Sequence, residues 1–214
     1  MRRFRCPAGA ANEPSADRTA YFRGPNGAGK STLFARFQET AQQPVEQENG
    51  DVLQQEQQHP QLSGFEVAAL TAARMKELLA ARASFSIENN LATADNYKLI
   101  SGAKASGYRV ELVYVGQDSV PECWFRVQQR VHEGGHDVPP AIVEQRYHQS
   151  LSLLKQHYAV FDHIRLVDNT DRAVGYQTVA IIENGRVQRI QPVSAGCATG
   201  IVRHVQLRER FVQL

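Results

Sequence analysis

The chain has 214 residues, of which 42% are hydrophobic and 21% charged, which is ordinary for a globular protein with a buried core. Its formal net charge of +2 argues against a protein whose main task is to cover nucleic acid. Every apolar run is shorter than the roughly 18 residues that a membrane span needs, which argues against a membrane protein.

The N-terminal segment, residues 1–18, is rich in Pro, Ala and polar residues and lacks the apolar core of a secretion signal. We expect it to be a flexible extension, or the result of a start codon assigned too early, and residues 19–214 to form one domain. The cysteines, Cys6, Cys123 and Cys197, are odd in number and form no CxxC pair. Such cysteines are typical of reduced thiols, so we expect a cytoplasmic protein.

Strand and helix patterns alternate along most of the chain. The predicted strands are "TAYF" (19–22), "ASFSIEN" (83–89), "YRVELVYVG" (108–116) and "FDHIRLVDN" (161–169), followed by a hairpin, "VAIIENGRVQRI" (179–190). The predicted helices are "KSTLFARFQET" (30–40), "GFEVAALTAARMKELLAAR" (64–82), "NYKLISGAKASG" (96–107), "VPECWFRVQQRVHEGG" (120–135) and "PPAIVEQRYHQSLSLLKQH" (139–157). This alternation predicts an α/β fold in which helices flank both faces of a parallel sheet.

A Gln-rich stretch, residues 38–61, interrupts the alternation, and we expect it to be solvated loop and helix surface. It shows no short apolar strand before Asp51. In the predicted hairpin, Asn184 and Gly185 form the two-residue turn.

The stretch "RGPNGAGKSTL" (23–33) contains a complete G-x-x-x-x-G-K-[ST] motif between a predicted strand and a predicted helix. Backbone N–H groups of such a loop surround phosphates, assisted by the N-terminus of the next helix. Lys30 would reach the β- and γ-phosphates and the Ser31 hydroxyl would ligate Mg²⁺. A glycine turn that binds nothing is the alternative, and the strand–loop–helix context argues against it. The predicted nucleotide-binding residues are Gly24, Pro25, Asn26, Gly27, Ala28, Gly29, Lys30, Ser31 and Thr32.

The fate of the γ-phosphate depends on carboxylates further along the chain. A motor or switch ATPase needs an acidic residue at the end of an apolar strand, and both Glu88 and Asp168 have that position. A small-molecule kinase needs a base for the acceptor hydroxyl. Asp51, in "ENGDVL", is the candidate base, and a helix N-cap is its alternative role.

Arg126 and Arg130 lie four residues apart and therefore share one helical face. Trp124, Val127 and Val131 occupy the other face, which we expect to be buried. The two guanidinium groups would then face a cleft and bind phosphate oxygens as a helical lid. Two solvated surface arginines are the alternative.

Taken together, the ordered motifs resemble the zeta toxin family, in its branch with a Gly-Gly-His-x-Val-Pro motif. The motifs are "GPNGAGKST", "NGD", "SFSIENNLAT", "GYRVELVYVG", "RVQQRVHEGGHDVPP", "RYHQSL" and "VDNT", and they cover roughly residues 19–190. The resemblance implies a P-loop kinase that uses ATP and Mg²⁺ to phosphorylate a UDP-activated amino sugar. The typical substrate is UDP-N-acetylglucosamine, phosphorylated at its 3′-hydroxyl. A toxin–antitoxin context, with a small helical antitoxin, is also implied.

The resemblance assigns roles to individual residues. Asp51 matches the family's base, and Glu88 matches a glutamate that contacts substrate. Asn89 stands where the family has threonine, which suggests a different sugar pocket. The remaining matches are the arginine pair Arg126 and Arg130, the Arg-Tyr arginine Arg146, and His136, which would either contact substrate phosphate or cap the helix that enters at Pro139.

The expected activity is thus phosphoryl transfer to an alcohol, with catalytic residues Lys30, Asp51, Arg126 and Arg130 and substrate-binding residues Glu88, Asn89, His136 and Arg146. Two alternatives stay open. One is a P-loop kinase of another small molecule, such as an antibiotic or a plain sugar. The other is a regulatory ATP-binding module without transfer activity, suggested by Asn89 and by the missing strand before Asp51.

Overall fold

The computed structural model describes residues 18–40, 46–49, 64–135, 137–190 and 201–206. Its strands are β1 (Arg18–Arg23), β2 (Glu46–Asn49), β3 (Phe85–Asn89), β4 (Arg109–Gly116), β5 (His163–Asp168), β6 (Gln177–Glu183) and β7 (Arg186–Ile190). Its helices are α1 (Lys30–Thr40), α2 (Gly64–Ala80), α3 (Ala94–Ala105), α4 (Val120–His132) and α5 (Pro140–His157). Tyr158–Val160 form a 3₁₀ turn, and residues 201–206 are helical. The predicted extension at 1–18 lies, except for its last residue, outside the described residues and stays a prediction.

The described strands form one sheet in the order β2-β3-β1-β4-β5-β6-β7. The first five strands are mutually parallel, whereas β6 runs antiparallel to β5 and β7 antiparallel to β6. Helices connect the parallel strands, as crossover connections require. The predicted α/β class of the P-loop kinases is therefore confirmed, and the antiparallel hairpin extends the parallel core at one edge.

The core lies between the sheet and the helices. In β4 the buried residues alternate with partly exposed ones from Arg109 to Val113, and Tyr114, Val115 and Gly116 are all buried. The largest fully buried side chains are Tyr114, Phe85, Phe161, Met75, Ile87, Leu91, Ile100, Leu112, Leu154 and Ile164. Such a core fixes the strand ends that carry the polar residues described below.

Local turn chemistry closes the elements where the sequence predicts. Gly107 has a φ of +87° after α3, a conformation that costs glycine little. Asn184 and Gly185, with φ of +48° and +76°, make the tight turn between β6 and β7. Both predictions are confirmed.

The Gln-rich stretch differs from its prediction, because β2 lies within it. The residues of β2 are Glu46–Asn49, and they pair in parallel with β3. A strand at a sheet edge is held by backbone hydrogen bonds to its one neighbour and needs no apolar sequence. The expectation that no strand precedes Asp51 is therefore wrong.

Parallel strands bring their carboxyl ends to one edge of the sheet, where α/β proteins bind ligands. Asn49 of β2 lies in register with Glu88 of β3, and Gly116 of β4 with Asp168 of β5. Between these pairs β1 ends and leads into the glycine-rich loop. Among the described residues, no helix is long and apolar enough to cross a membrane.

Candidate functional site

The glycine-rich loop connects β1 to α1, which begins at Lys30. Gly27 and Gly29 have φ of +75° and +95°, values that glycine adopts readily. A Cβ atom at Gly27 would lie 2.1 Å from the carbonyl oxygen of Cys123, so α4 packs directly on the loop. Beneath it lies a small apolar cluster of Ala28, Leu33, Val115 and Val167. The strand–loop–helix context predicted for a phosphate-binding loop is present.

The side chain of Lys30 extends from the loop to the residues that follow β3. Its side chain is buried, and its Nζ donates to the Pro25 carbonyl at 3.0 Å and to Asn90 Oδ1 at 3.1 Å. Its ammonium group thus lies between the loop and the end of β3, as expected for a group that contacts the outer phosphates.

Of the two acidic strand ends, Glu88 is the one that contacts the loop. Ser31 Oγ donates to Glu88 Oε1 at 2.6 Å, and only 8% of Glu88 is exposed. Asp168 instead accepts from the Thr170 hydroxyl at 2.7 Å. The neighbouring Asp118 has a raised pKa, first because of burial and then because of the negative charge of Asp168. The sequence left Glu88 and Asp168 equally placed, and the strand order distinguishes them because β3 adjoins β1.

Asn89 and Asn90 differ in what they face. Asn89 Oδ1 accepts from the Leu91 backbone N–H, and Asn89 Nδ2 donates to Asn96 Oδ1, both at 2.8 Å. These bonds support Leu91, which is fully buried with a φ of +53°. The structure places the side chain of Asn90, and not that of Asn89, against Lys30. A substrate contact by Asn89 stays a prediction.

The predicted arginines lie on two helices. Arg146, on α5, donates from Nη1 to Asn26 Oδ1 of the loop at 3.3 Å. Arg126, on α4, donates to Glu122 Oε1 at 3.1 Å and to the Asn169 carbonyl at 2.8 Å. Arg130 follows one turn later and is half-buried.

Gly135, the second glycine after α4, lies against the stem of Arg130. The Gly135 backbone N–H donates to the Arg130 carbonyl at 2.9 Å. A Cβ atom at Gly135 would lie 2.6 Å from Arg130 Cγ, so this position has no room for a side chain. A side chain at position 135 would therefore displace the stem of Arg130.

The buried face of α4 differs from the predicted one. Cys123 and Val127 are fully buried, whereas Trp124 and Phe125 are 40% and 49% exposed. The expectation that Trp124 is buried is wrong: α4 packs on the loop through the backbone of Cys123, and the side chains it buries are Cys123 and Val127. Burial raises the pKa of the Cys123 thiol to about 12, so it is a packing residue and not a nucleophile.

Two further residues touch the loop that the sequence did not single out as site residues. Asn169 Nδ2 donates to the Ala28 carbonyl at 2.8 Å, and the Tyr176 hydroxyl donates to the Gly29 carbonyl at 2.7 Å. Asn169 belongs to the motif "VDNT" at the end of β5. The available signal was its position, as a polar residue directly after a buried strand.

Asp51 and His136 lie outside the described residues. Asn49, the last described residue before Asp51, pairs with Glu88 and hence lies at the same edge as the loop. The base role of Asp51 and both roles of His136 stay predictions.

The sequence is similar to a known family model and to a bacterial protein. The family model for the zeta toxin matches residues 13–180. An uncharacterized protein of Haemophilus influenzae is 28% identical over 131 residues, which are 61% of this chain and 93% of that protein.

Solved structures share the fold at low sequence identity. A chain of the PezAT chromosomal toxin–antitoxin system of Streptococcus pneumoniae has a TM-score of 0.61 and 17% identity, covering 94% of this chain and 88% of that one. A chain of the AvrRxo1-ORF1:AvrRxo1-ORF2 complex with sulphate ions has a TM-score of 0.60 and 18% identity, covering 87% of this chain. The present chain spans 64% of that AvrRxo1 chain and 49% of a chain of the Pnkp1/Rnl/Hen1 RNA repair complex, which it also resembles.

Proposed function

The chain belongs to the zeta toxin family, and from this premise we propose that it is a P-loop kinase that transfers the γ-phosphoryl group of ATP to a sugar hydroxyl. The proposed acceptor class is a UDP-activated amino sugar such as UDP-N-acetylglucosamine, and the proposed setting is a toxin–antitoxin pair. The observation that supports transfer best is the convergence on one loop of Lys30, the Ser31–Glu88 pair and Arg146.

Each of these groups has a task in the proposed reaction. Backbone N–H groups of the loop and Lys30 bind the phosphates of ATP and orient the terminal one. Arg146, already in contact with Asn26, and Arg130, held by Gly135, supply the positive charge that stabilises a moving phosphoryl group. The guanidinium group of Arg126 is engaged with Glu122 and Asn169, so its predicted phosphate contact has less support.

Magnesium suits the oxygen donors beside the loop. The Ser31 hydroxyl and the Glu88 carboxylate lie 2.6 Å apart, and Mg²⁺ prefers a few oxygen ligands completed by phosphates and water. In the described part of the chain no three His, Cys, Asp or Glu residues cluster as for an all-protein metal cage. When bound, Mg²⁺ would neutralise charge on the phosphates.

The acceptor would approach from the β2 and β3 side of the loop. Asp51 follows β2 and would accept the proton of the sugar hydroxyl. The neighbourhood of Asn49 and Glu88 supports this placement. The strand β2 also removes one of the two reasons for considering a regulatory module without transfer activity.

The decisive experiment incubates the protein with ATP, Mg²⁺ and a panel of UDP-sugars and measures the added phosphate by mass spectrometry. We expect UDP-N-acetylglucosamine or a related UDP-amino sugar to gain one phosphate, and Lys30→Ala to abolish the product. Phosphorylation of a different small molecule in a metabolite extract would show that the acceptor class is wrong. ATP binding with no product in any extract would favour the regulatory module.

A further inference from the structure

We propose that Asn169 and Tyr176 are positioning residues that hold the peptide planes of the phosphate loop from behind, so that its N–H groups face the phosphates. The inference deepens the proposed function, since it concerns how that loop binds nucleotide. Neither residue touches a reacting atom in this proposal. Each acts through a loop carbonyl.

The two side chains reach the loop from a distant part of the chain. Asn169 follows β5 and is 8% exposed, and its Nδ2 donates to the Ala28 carbonyl at 2.8 Å. Tyr176 precedes β6 and is half-buried, and its hydroxyl donates to the Gly29 carbonyl at 2.7 Å. Two consecutive carbonyls of the loop are thus bound by two different side chains.

A bound carbonyl orients the next N–H group. In a trans peptide the C=O and the following N–H point in opposite directions, and none of the described peptide bonds is cis. Holding the Ala28 carbonyl therefore directs the Gly29 N–H to the opposite side, and holding the Gly29 carbonyl directs the Lys30 N–H. Those N–H groups belong to the part of the motif that surrounds phosphates.

Gly29 leaves the space in which the side chains of Asn169 and Tyr176 reach the loop. A Cβ atom there would lie 2.6 Å from Asn169 Nδ2 and 2.7 Å from the Tyr176 hydroxyl oxygen. The two donors thus occupy the space that a side chain would need. Because glycine leaves the backbone free to rotate, external hydrogen bonds are needed to keep such a loop in its binding conformation.

Other residues hold the two donors in place. The Asn169 carbonyl accepts from Arg126 Nη2 at 2.8 Å, and its backbone N–H donates to the Gly116 carbonyl at 3.2 Å. The guanidinium group of Arg36 lies 5.4 Å from the centre of the Tyr176 ring. The helix α4 is thereby connected through Arg126 and Asn169 to the phosphate loop.

The test uses the full chain and two competitors of a fluorescent ATP analogue, the nucleotide ADP and the nucleoside adenosine. The variants are Tyr176→Phe, which removes one hydroxyl and keeps the ring, and Asn169→Ala. Tyr108→Phe is the matched control, since the Tyr108 hydroxyl also donates to backbone carbonyls, those of Leu78 and Ala83, away from the loop.

We expect Tyr176→Phe to weaken ADP binding about fivefold, the equivalent of one neutral hydrogen bond. The Gly29 carbonyl keeps its bond from the Leu33 N–H in that variant, so Asn169→Ala should have the larger effect, about tenfold or more. Adenosine affinity should stay within about twofold of the wild type in both, because it has no phosphate. Tyr108→Phe should leave both affinities unchanged.

Unchanged ADP affinity in both variants would overturn the proposal, as would an equal loss for ADP and adenosine, which would indicate a general structural defect. If Asn169→Ala does not fold, Tyr176→Phe alone decides between these outcomes. No product is measured, so an error in the proposed acceptor would leave this result untouched and would be seen only in the mass-spectrometric assay.

Discussion

Arg130 is the side chain whose role depends most on its immediate neighbours. It is half-buried on α4, one turn after an arginine that is already paired, and it is enclosed by the glycine turn at Gly135. Its planar guanidinium group is pre-organised for phosphate oxygens and loses little conformational entropy for each hydrogen bond that it forms.

We therefore expect Arg130→Ala to reduce phosphoryl transfer by about three to five orders of magnitude, as for arginines that stabilise a moving phosphoryl group. ATP affinity should change by less than about tenfold, because Lys30 and the loop remain. Single-turnover rates and ATP titrations would measure the two effects. Arg74→Ala is the control, since Arg74 forms an exposed ion pair with Glu77 on α2. Transfer at the wild-type rate in Arg130→Ala would show that Arg130 does not contact the phosphoryl group.

Single residues also mark the limit of what the sequence predicts. Lys30 and Ser31 were identified because their positions in the motif are fixed relative to each other. Asn169 and Tyr176 were not, because a side chain that binds a backbone carbonyl 141 or 147 residues away leaves no periodicity or spacing to detect. Glu88 could be named from its strand end, but only the order of strands in the sheet shows that it contacts Ser31.

At the scale of elements, helices and buried strands were predicted well, since their apolar periodicity reflects their own burial. The start of α1 at Lys30 and the hairpin turn at Asn184 agree with the sequence. The strand β2 was missed because its stability comes from pairing with β3 and not from its own composition. The exposed Trp124 was misassigned because the face of α4 that is buried depends on how the helix packs on the loop, which its own sequence does not reveal.

The turn after α4 gives a test at this scale. We expect Gly135→Ala to slow phosphoryl transfer by about 100-fold, because the new Cβ would displace Arg130 and small displacements of a catalytic group are costly. ATP affinity should be retained.

A matched control is Gly102→Ala in α3, where a Cβ atom has no neighbour within 4 Å. We expect it to raise the free energy of unfolding by about 1 kcal/mol, the difference between alanine and glycine within a helix. Its transfer rate should equal that of the wild type. A Gly135→Ala variant that transfers phosphate as fast as Gly102→Ala would show that the turn does not position Arg130.

For the whole molecule, stability should depend on pH through His163 at the start of β5. The residue is 3% exposed, and burial lowers its pKa, although Glu111 and Glu183 raise it in part. At a pH between the pKa of His163 in the folded state and its higher pKa in the unfolded state, His163 is protonated in the unfolded chain and neutral in the folded one. Stability is thus fully present above the unfolded pKa of about 6.5 and falls as the pH decreases below it.

Thermal unfolding between about pH 8 and pH 5 would measure this dependence. We expect the melting temperature of the wild type to fall through this range, and that of His163→Gln, which cannot gain a proton there, to fall less steeply. Parallel curves for the two proteins would show that His163 does not contribute. The comparison of slopes removes the contribution of the carboxylates, which is common to both proteins.

The strand order has a consequence for how such proteins diversify. The phosphate loop, which would bind the phosphoryl donor, is supported from the side of the sheet that contains β4 and β5. The proposed acceptor would bind on the opposite side, next to β2 and β3. In the proposed reaction, mutations on one flank would therefore change the acceptor and leave the bound nucleotide unchanged. The polar edge strand β2 is the element at which we expect such a change to begin.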